Sequence, residues 1–275
     1  MPPAGAEGGP VAVLLQARLD SSRLPGKALL PLGGRPLIYR VMEALARIPA
    51  DLYILASPED CAGDFSPLAE EAGFQFCPGP KEDVLARYCL AIRRFSIGRV
   101  IRATGDNPFV FPAAAAAING EALALGADYA AYSGLPYGAG VESVAAEALL
   151  RAERETSLSP EKPLSGKLPS GKLNSGKLPP EREHVCPYLY NHPGLFLLHR
   201  PLARRAWQGP SLRITVDTGE DYERCRALWD ALEERSGEAQ PGEESAGEKR
   251  SRDEAIIAAW RKLAGAAHPL FQGRG

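Results

Sequence analysis

The sequence lacks long apolar runs. No stretch approaches the roughly 20 apolar residues that a membrane-spanning helix needs. The first ten residues, MPPAGAEGGP, have neither the basic nor the apolar region of a signal peptide. Charged residues make up 24% of the 275-residue chain, and hydrophobic residues 45%, which is the balance of ordinary globular proteins. We therefore expect a protein that has no membrane contact and resides in the cytoplasm.

Paired cysteines are also missing. The five cysteines contain no C-x-x-C pair and are scattered over the chain, at Cys61, Cys77, Cys89, Cys186 and Cys225. An odd, scattered set argues against a disulfide framework and against a structural zinc site. We interpret all five as reduced thiols in the core.

The chain has no excess of positive charge. Its formal net charge is -2, which argues against a protein that coats nucleic acid, because that task needs a basic surface. The common nucleotide motifs are absent too, since the sequence contains neither G-x-x-x-x-G-K-[ST] nor a G-x-G-x-x-G after its first apolar run. Any nucleotide site must therefore be built differently.

Short apolar runs alternate with helix-like periodicity along the chain. The pattern predicts strands at residues 11–16, 52–56, 99–103, 129–132 and 212–216. It predicts helices at residues 36–48, 83–95, 112–125, 144–154 and 222–232, with a closing helix around Ile256, Ile257, Trp260 and Leu263. Such alternation indicates an α/β fold with a mainly parallel sheet, flanked by helices, that binds ligands at the carboxyl ends of its strands.

Two polar stretches interrupt this pattern. Residues 156–180 contain a tandem repeat, SGKLP, SGKLN, SGKLP, which starts at Ser165 and predicts a flexible surface insertion. Its three lysines alternatively contact an anionic partner. Residues 236–252 form the second polar segment. We expect a flexible leader over residues 1–10 and a single domain over residues 11–275.

The loop after the first predicted strand is the most informative segment. Residues 16–30, QARLDSSRLPGKALL, place Arg18, Arg23 and Lys27 beside two serines and a glycine at the carboxyl end of that strand. Fixed cations, hydroxyls and backbone N–H groups in one loop suit a polyphosphate. The alternative is an ordinary polar loop whose charges face water. Residue types alone leave both interpretations open.

Two aspartates follow two different predicted strands. Asp106 lies just beyond residues 99–103, and Asp217 comes directly after residues 212–216. Because carboxyl ends of parallel strands meet at one sheet edge, we expect the two carboxylates to converge there. Magnesium commonly takes one or two protein carboxylates plus phosphate oxygens and water. Asp217 also suits the cap of the following helix, and the two roles are compatible.

Five motifs resemble the cytidylyltransferase superfamily. The set comprises ARLDSSRLPGK at residues 17–27, PLGGRPLI at 31–38, RATGDNPFV at 102–110, EREHVCPY at 181–188 and LRITVDTGEDY at 212–222. The similarity is greatest to the spore-coat polysaccharide branch, called SpsF-type, and to CMP-Kdo and CMP-sialate synthetases. The motifs are spread over most of the chain apart from the leader and the two polar segments.

This resemblance implies a fold, a reaction and a set of site residues. The fold is Rossmann-like, of the glycosyltransferase A or nucleotide-diphospho-sugar transferase type. The reaction transfers CMP from CTP to a sugar acid or related anionic acceptor, with release of pyrophosphate, for cell-surface glycan or glycolipid synthesis. The implied residues are Ala17, Arg18, Ser22, Arg23 and Lys27 for CTP; Arg18, Lys27 and Asp106 for catalysis; Asp106 and Asp217 for Mg²⁺; and Glu142, Arg182 and His184 for the acceptor.

The resemblance has one clear departure. Many relatives carry a G-x-D-x-E pattern where this chain reads GAGVE, so Gly140 stands at the Asp position and Glu142 is retained. This leaves open a nucleotide-binding homologue without turnover. A nucleotide-sugar-dependent glycosyltransferase is a further alternative, although TGDNP supplies only one Asp where a D-x-D pair is expected. We expect CTP and a small anionic acceptor as partners, no nucleic acid and no membrane, and we leave a homodimer open.

Overall fold

The computed structural model describes residues 8–157, 179–237, 251–266 and 269–271. Most of the expected leader, the SGKLP repeat and most of the second polar segment lie outside these residues. Within the described ranges, no helix has the length and apolar character needed to cross a membrane.

A seven-stranded sheet forms the centre of the fold. Its strands are β1 Val11–Gln16, β4 Leu52–Pro58, β5 Gln75–Gly79, β6 Arg99–Thr104, β7 Tyr129–Ala130, β8 Glu142–Ala145 and β9 Leu198–His199. They lie in the order β5-β4-β1-β6-β8-β7-β9. β8 runs antiparallel to both of its neighbours, and the other pairs are parallel. The expected mixed, mainly parallel α/β sheet is therefore confirmed. A separate hairpin joins β2 Pro31–Leu32 to β3 Arg35–Pro36.

Helices cover both faces of the sheet. They are α1 Leu37–Leu45, α2 Ala62–Glu71, α3 Val84–Phe95, α4 Pro112–Leu125, α5 Ala146–Ser157, α6 Pro180–His184, α7 Pro187–Asn191, α8 Gly219–Gly237 and α9 Arg252–Gly265. α1, α2 and α4 share one hydrophobic cluster with the sheet, while α3, α5 and α7 share another on the opposite face. A third cluster joins α8 and α9 to the β2–β3 hairpin and the start of α4.

The central strand β1 is buried on both faces. Ala12 and Leu14 belong to the cluster with α3, whereas Val13 and Leu15 belong to the cluster with α1. Side chains alternate across a strand, so a strand covered on both sides needs a continuous apolar run such as VAVLLQ. Full burial of one such leucine contributes roughly 1.5–3 kcal/mol relative to exposure. β1 therefore gives the loop that follows it a rigid base.

The prediction of a strand at residues 212–216 is wrong. The segment is extended, but its partners are irregular loops: Ile214 N donates to Tyr137 O at 2.9 Å, and Val216 N donates to Asp106 O at 2.8 Å. The apolar alternation reflects burial of Leu212, Ile214 and Val216 in the third cluster rather than membership of a sheet. The segment nevertheless brings Asp217 to the carboxyl ends of the sheet strands.

Other predicted boundaries differ in smaller ways. Val144 begins the expected helix but lies in β8, where it pairs with Val100 and Tyr129, and the helix starts at Ala146. β7 covers two residues rather than four, although Ala131 and Ser133 still hydrogen-bond to the chain at His199 and Pro201. α2 and β5 were not expected. α2 contains Pro67, a residue that weakens a helix prediction.

Candidate active site

A cleft of about 710 Å³ opens at the carboxyl ends of β1 and β6. Its lining contains more basic than acidic side chains: Arg18, Arg23, Lys27, Arg87, Arg102 and Arg200 against Asp106, Glu142, Glu183 and Asp217. The chain as a whole is slightly acidic, so positive charge is concentrated in this cleft. Such a site favours a polyanionic ligand.

The loop after β1 is fixed by contacts at both of its ends. Ser57 Oγ donates to Ala17 O at 2.9 Å, and Gly26 N donates to Leu19 O at 3.1 Å. Gly26 has a φ of 67° and precedes a 3-10 turn over Lys27–Leu29, a left-handed conformation that glycine adopts without a steric cost. This turn directs the Lys27 side chain toward the sheet edge, while Arg18, Ser22 and Arg23 line the cleft.

Lys27 lies between the two predicted metal-binding aspartates. Its Nζ is 3.3 Å from Asp106 Oδ2 and 3.3 Å from Asp217 Oδ1, and it donates to Val216 O at 2.7 Å. Only 14% of its side chain is exposed. The predicted convergence of Asp106 and Asp217 is thus observed, and a cation from the β1 loop holds the two carboxylates together.

Asp217 is held by two further cations. Arg23 Nη2 donates to its Oδ1 at 2.8 Å, and Arg213 Nη2 donates to its Oδ2 at 2.7 Å. Arg213 is itself fixed by Asp221, which is buried and also accepts from the backbone N–H of Asp217. Burial would raise the pKa of the Asp221 carboxyl, but Arg213 and these donors lower it to about 2. The Asp217 carboxylate therefore sits in a rigid, strongly basic setting.

Asp106 is held by Thr104 at the end of β6. Thr104 Oγ1 donates to Asp106 Oδ1 at 2.6 Å, and Asn107 Nδ2 donates to Thr104 Oγ1 at 2.9 Å. No group of three His, Cys, Asp or Glu side chains suited to a metal occurs in the part of the chain that the structure describes. A pair of carboxylates in a cleft that favours a polyanion fits magnesium, which usually completes its shell with phosphate oxygens and water.

A buried charge pair, Arg102 and Glu142, lies at the end of the cleft opposite the β1 loop. Arg102 donates to Glu142 and, through Nη2, to Gln16 Oε1 at 3.1 Å, while Tyr129 Oη donates to Glu142 Oε1 at 2.7 Å. Burial would raise the pKa of the Glu142 carboxyl, but Arg102 and Tyr129 outweigh it and hold this pKa below its ordinary value. Glu142 is therefore a fixed anion with its partners already in place.

The predicted pair Arg182 and His184 is separated in the structure. His184 lies at the end of α6 and lines the cleft. Arg182 does not line it: its Nε donates to Asp83 Oδ2 at 2.7 Å, and its Nη1 donates to Ser157 Oγ at 2.7 Å. Asp83 caps α3, so the guanidinium joins α6 to α3 and lies away from the predicted acceptor site.

Several cleft residues were not anticipated from the sequence. Arg87 is 2% exposed and donates to Pro80 O at 2.7 Å, which fixes the loop before α3. Arg102 lies inside β6, and Arg200 directly follows β9. Of these three, Arg102 alone had a signal in the sequence, because it is an arginine within an apolar strand and begins the motif RATGDNPFV. Gly140 also lines the cleft, where it contributes no side chain.

Comparison with known proteins gives concordant matches. A family model described as cytidylyltransferase matches residues 12–238. The chain is 31% identical over 231 residues to the spore coat polysaccharide biosynthesis protein SpsF of Bacillus subtilis, covering 82% of this chain and 88% of that protein. It is 30% identical over 106 residues to the 3-deoxy-manno-octulosonate cytidylyltransferase of Aeromonas hydrophila, covering 36% and 42% of the two chains.

A solved structure supports the fold. A cytidylyltransferase from Leptospira borgpetersenii superposes with a TM-score of 0.74 at 20% identity, over 96% of this chain and 98% of that one. The similarity extends over nearly the whole of both chains and supports the α/β fold described above.

Proposed function

The chain belongs to the cytidylyltransferase family, and on this basis we propose that it transfers CMP from CTP to a sugar acid or a related small anionic acceptor and releases pyrophosphate. The family resemblance of the sequence motifs is confirmed by these matches. The observation that carries the proposal is the position of Lys27, which joins the β1 loop to Asp106 and Asp217 in a basic cleft.

The nucleotide half of the site is the β1 loop. Arg18, Ser22, Arg23 and Lys27 line the cleft beside Ala17 and provide cations, a hydroxyl and backbone groups for the triphosphate. Arg18 has little competition from its surroundings, because its carboxylate neighbour Asp20 lies 3.7 Å away and both side chains are about half exposed. It is therefore available to a phosphate oxygen.

Binding of a triphosphate with a divalent cation exchanges the ion pairs of the site. Lys27 and Arg23 pair with carboxylates in the structure; we propose that they turn to phosphate oxygens while Asp106 and Asp217 hold Mg²⁺. The ion, when bound, supplies charge neutralisation for the departing pyrophosphate. Each charged group keeps an opposite charge throughout, which limits the cost of desolvation.

The chemistry requires no covalent protein intermediate. An acceptor oxygen forms a bond to the α-phosphorus of CTP. The bond from that phosphorus to the oxygen that bridges the α- and β-phosphates breaks, and the acceptor proton leaves to solvent. Arg18, Arg23 and Lys27 offset the negative charge that moves onto the leaving pyrophosphate. Positioning of the two substrates in line provides the remaining acceleration.

The acceptor belongs at the end of the cleft that contains Glu142 and His184. The partial match to a 3-deoxy-manno-octulosonate cytidylyltransferase favours a sugar acid, and the match to a spore coat polysaccharide biosynthesis protein favours a role in surface glycan synthesis. We retain Arg182 only as a residue that positions α6, since Asp83 and Ser157 occupy its guanidinium.

One observation favours a second candidate, a nucleotide-binding homologue without turnover. Gly140 supplies no carboxylate to the cleft wall.

Thermal unfolding in the presence of Mg²⁺ and CTP, UTP, ATP or GTP tests the nucleotide part of the proposal, because a ligand that binds the folded state raises its Tm by mass action. We expect CTP to give the largest rise; a larger rise with ATP or UTP contradicts the assignment.

A further inference from the structure

Arg200 differs from the other arginines that line the cleft. Arg18, Arg23, Arg87 and Arg102 each have a carboxylate, carbonyl or amide partner in the structure. Arg200 is exposed, and it forms no hydrogen bond, ion pair or ring contact with any residue in the described ranges. A guanidinium that faces a substrate cleft without an internal partner is available to a ligand.

The backbone at Arg200 is nevertheless fixed. Ala131 N donates to His199 O at 3.1 Å, and Ser133 N donates to Pro201 O at 2.9 Å, so both neighbours are held against the chain that continues from β7. The His199 side chain contacts Glu121 on α4 at 2.8 Å. Because successive side chains in an extended segment point to opposite faces, Arg200 lies on the other face, which it shares with Tyr129 and the cleft.

We infer that Arg200 binds the acceptor's anionic group and that this group is a carboxylate. The inference rests on the proposed function, since it assigns a residue to the acceptor half of that reaction. A guanidinium presents two parallel N–H donors to a carboxylate, which fixes the orientation of the acceptor as well as adding binding energy. Arg200 thereby takes the role that the sequence motifs suggest for Arg182.

The distribution of charge at this end favours a carboxylate over a phosphate or phosphonate. Arg102 is neutralised by Glu142, and Arg182 is neutralised by Asp83 outside the cleft. Glu183, exposed on α6, adds a negative charge to the cleft lining. A dianionic group needs a second cation, and at this end of the cleft the other arginines in the described ranges, Arg87, Arg102 and Arg182, already have internal partners. A single guanidinium matches a singly charged carboxylate.

The test compares an acid with its ester. Pyrophosphate release is measured with CTP and Mg²⁺, using 3-deoxy-manno-octulosonate or its methyl ester as acceptor, for the wild type, Arg200→Gln and Arg200→Lys. Arg205→Gln is the matched control, because Arg205 is also exposed in the same connecting segment and does not line the cleft. The ester keeps the reacting hydroxyl and lacks the charge.

In Arg200→Gln we expect the KM for the acid to rise about tenfold or more, with the KM for CTP within about twofold of wild type. The preference for acid over ester should largely disappear, Arg200→Lys should recover part of it, and Arg205→Gln should match the wild type. An unchanged KM for the acid, or an equal loss of CTP affinity, overturns the role of Arg200 alone. If the wild type binds CTP but releases no pyrophosphate with any sugar acid, the proposed function fails, and this inference fails with it.

Discussion

Lys27 Nζ lies 3.3 Å from Asp217 Oδ1, although the two residues are 190 positions apart in the chain. The contact joins the loop after the central strand to the segment that precedes α8. It brings a cation suited to phosphate and a carboxylate suited to a divalent metal to one point. The geometry therefore contains, as an internal ion pair, the two charges that a nucleoside triphosphate and its metal would separately contact.

Removal of the Lys27 charge should impair chemistry more than folding. In Lys27→Met we expect kcat for CTP-dependent pyrophosphate release to fall by about 10²–10³, because a preorganised charge on the leaving group is lost. The measurement is steady-state kinetics together with Tm. Lys262→Met, an exposed lysine on α9, is the control and should keep wild-type turnover. Near-normal kcat in Lys27→Met would refute the catalytic role.

Loss of either aspartate should change the requirement for metal. We expect Asp106→Asn and Asp217→Asn to raise the Mg²⁺ concentration needed for half-maximal activity by about tenfold or more, since a neutral amide is a weaker ligand for a hard cation than a carboxylate. Titration of Mg²⁺ at saturating CTP measures this. Asp230→Asn changes an exposed carboxylate on α8 and should leave the titration unaltered. If Asp106→Asn and Asp217→Asn need the same Mg²⁺ concentration as the Asp230→Asn control, neither aspartate is a metal ligand.

Two of the glycines that line the cleft, Gly138 and Gly140, should respond differently to alanine. Gly138 has a φ of 99°, and a Cβ there would lie 2.9 Å from the Thr215 backbone nitrogen. Gly138→Ala should therefore cost about 1–3 kcal/mol in the free energy of unfolding. At Gly140 the nearest atom to a Cβ is Leu135 Cδ1, at 3.3 Å, so Gly140→Ala should stay within about 1 kcal/mol of wild type. Urea unfolding compares the two, and equal losses contradict the local geometry.

Part of this site was predictable from the sequence. Arg18, Ser22, Arg23 and Lys27 all lie in the loop that directly follows β1, so their local order alone places them at the sheet edge. The prediction that Asp217 lies at that edge relied on a strand at residues 212–216, which the structure does not contain. Its position depends on hydrogen bonds to the loop around Tyr137 and to Asp106, which link segments far apart in the chain.

The acceptor half was less predictable, for the same physical reason. Arg182 and His184 are two residues apart, yet one pairs with Asp83 and the other lines the cleft. Arg200 has no local motif, and its exposure to the cleft comes from the pairing of β9 with β7. The contact between Arg182 and Asp83 depends on the tertiary structure, so the spacing of residues in the sequence does not predict it.

Asp253 should give the protein a distinctive pH dependence of stability. It is 1% exposed at the start of α9 and accepts from Ala114 N at 3.4 Å, and burial raises its pKa to about 6. The folded state then retains a proton that the unfolded chain, with a pKa near 3.9, has already lost. Stability conferred at low pH is therefore lost as the pH rises from about 4 to about 6, by an amount on the order of 3 kcal/mol.

Asp253→Asn should remove this component of the pH dependence. Urea unfolding of both proteins between about pH 4 and about pH 7 measures the difference. We expect the free energy of unfolding to fall less steeply with pH in the variant. Identical slopes would show that the Asp253 carboxyl titrates normally in the folded protein.

The central claim is tested most directly by pyrophosphate release from CTP. The wild-type protein is incubated with Mg²⁺, 3-deoxy-manno-octulosonate and, in separate reactions, CTP, UTP, ATP or GTP. We expect release that depends on both CTP and the sugar acid and that is lost on removal of Mg²⁺ with a chelator. Preference for another nucleotide, or CTP binding without release across a panel of sugar acids, would contradict it.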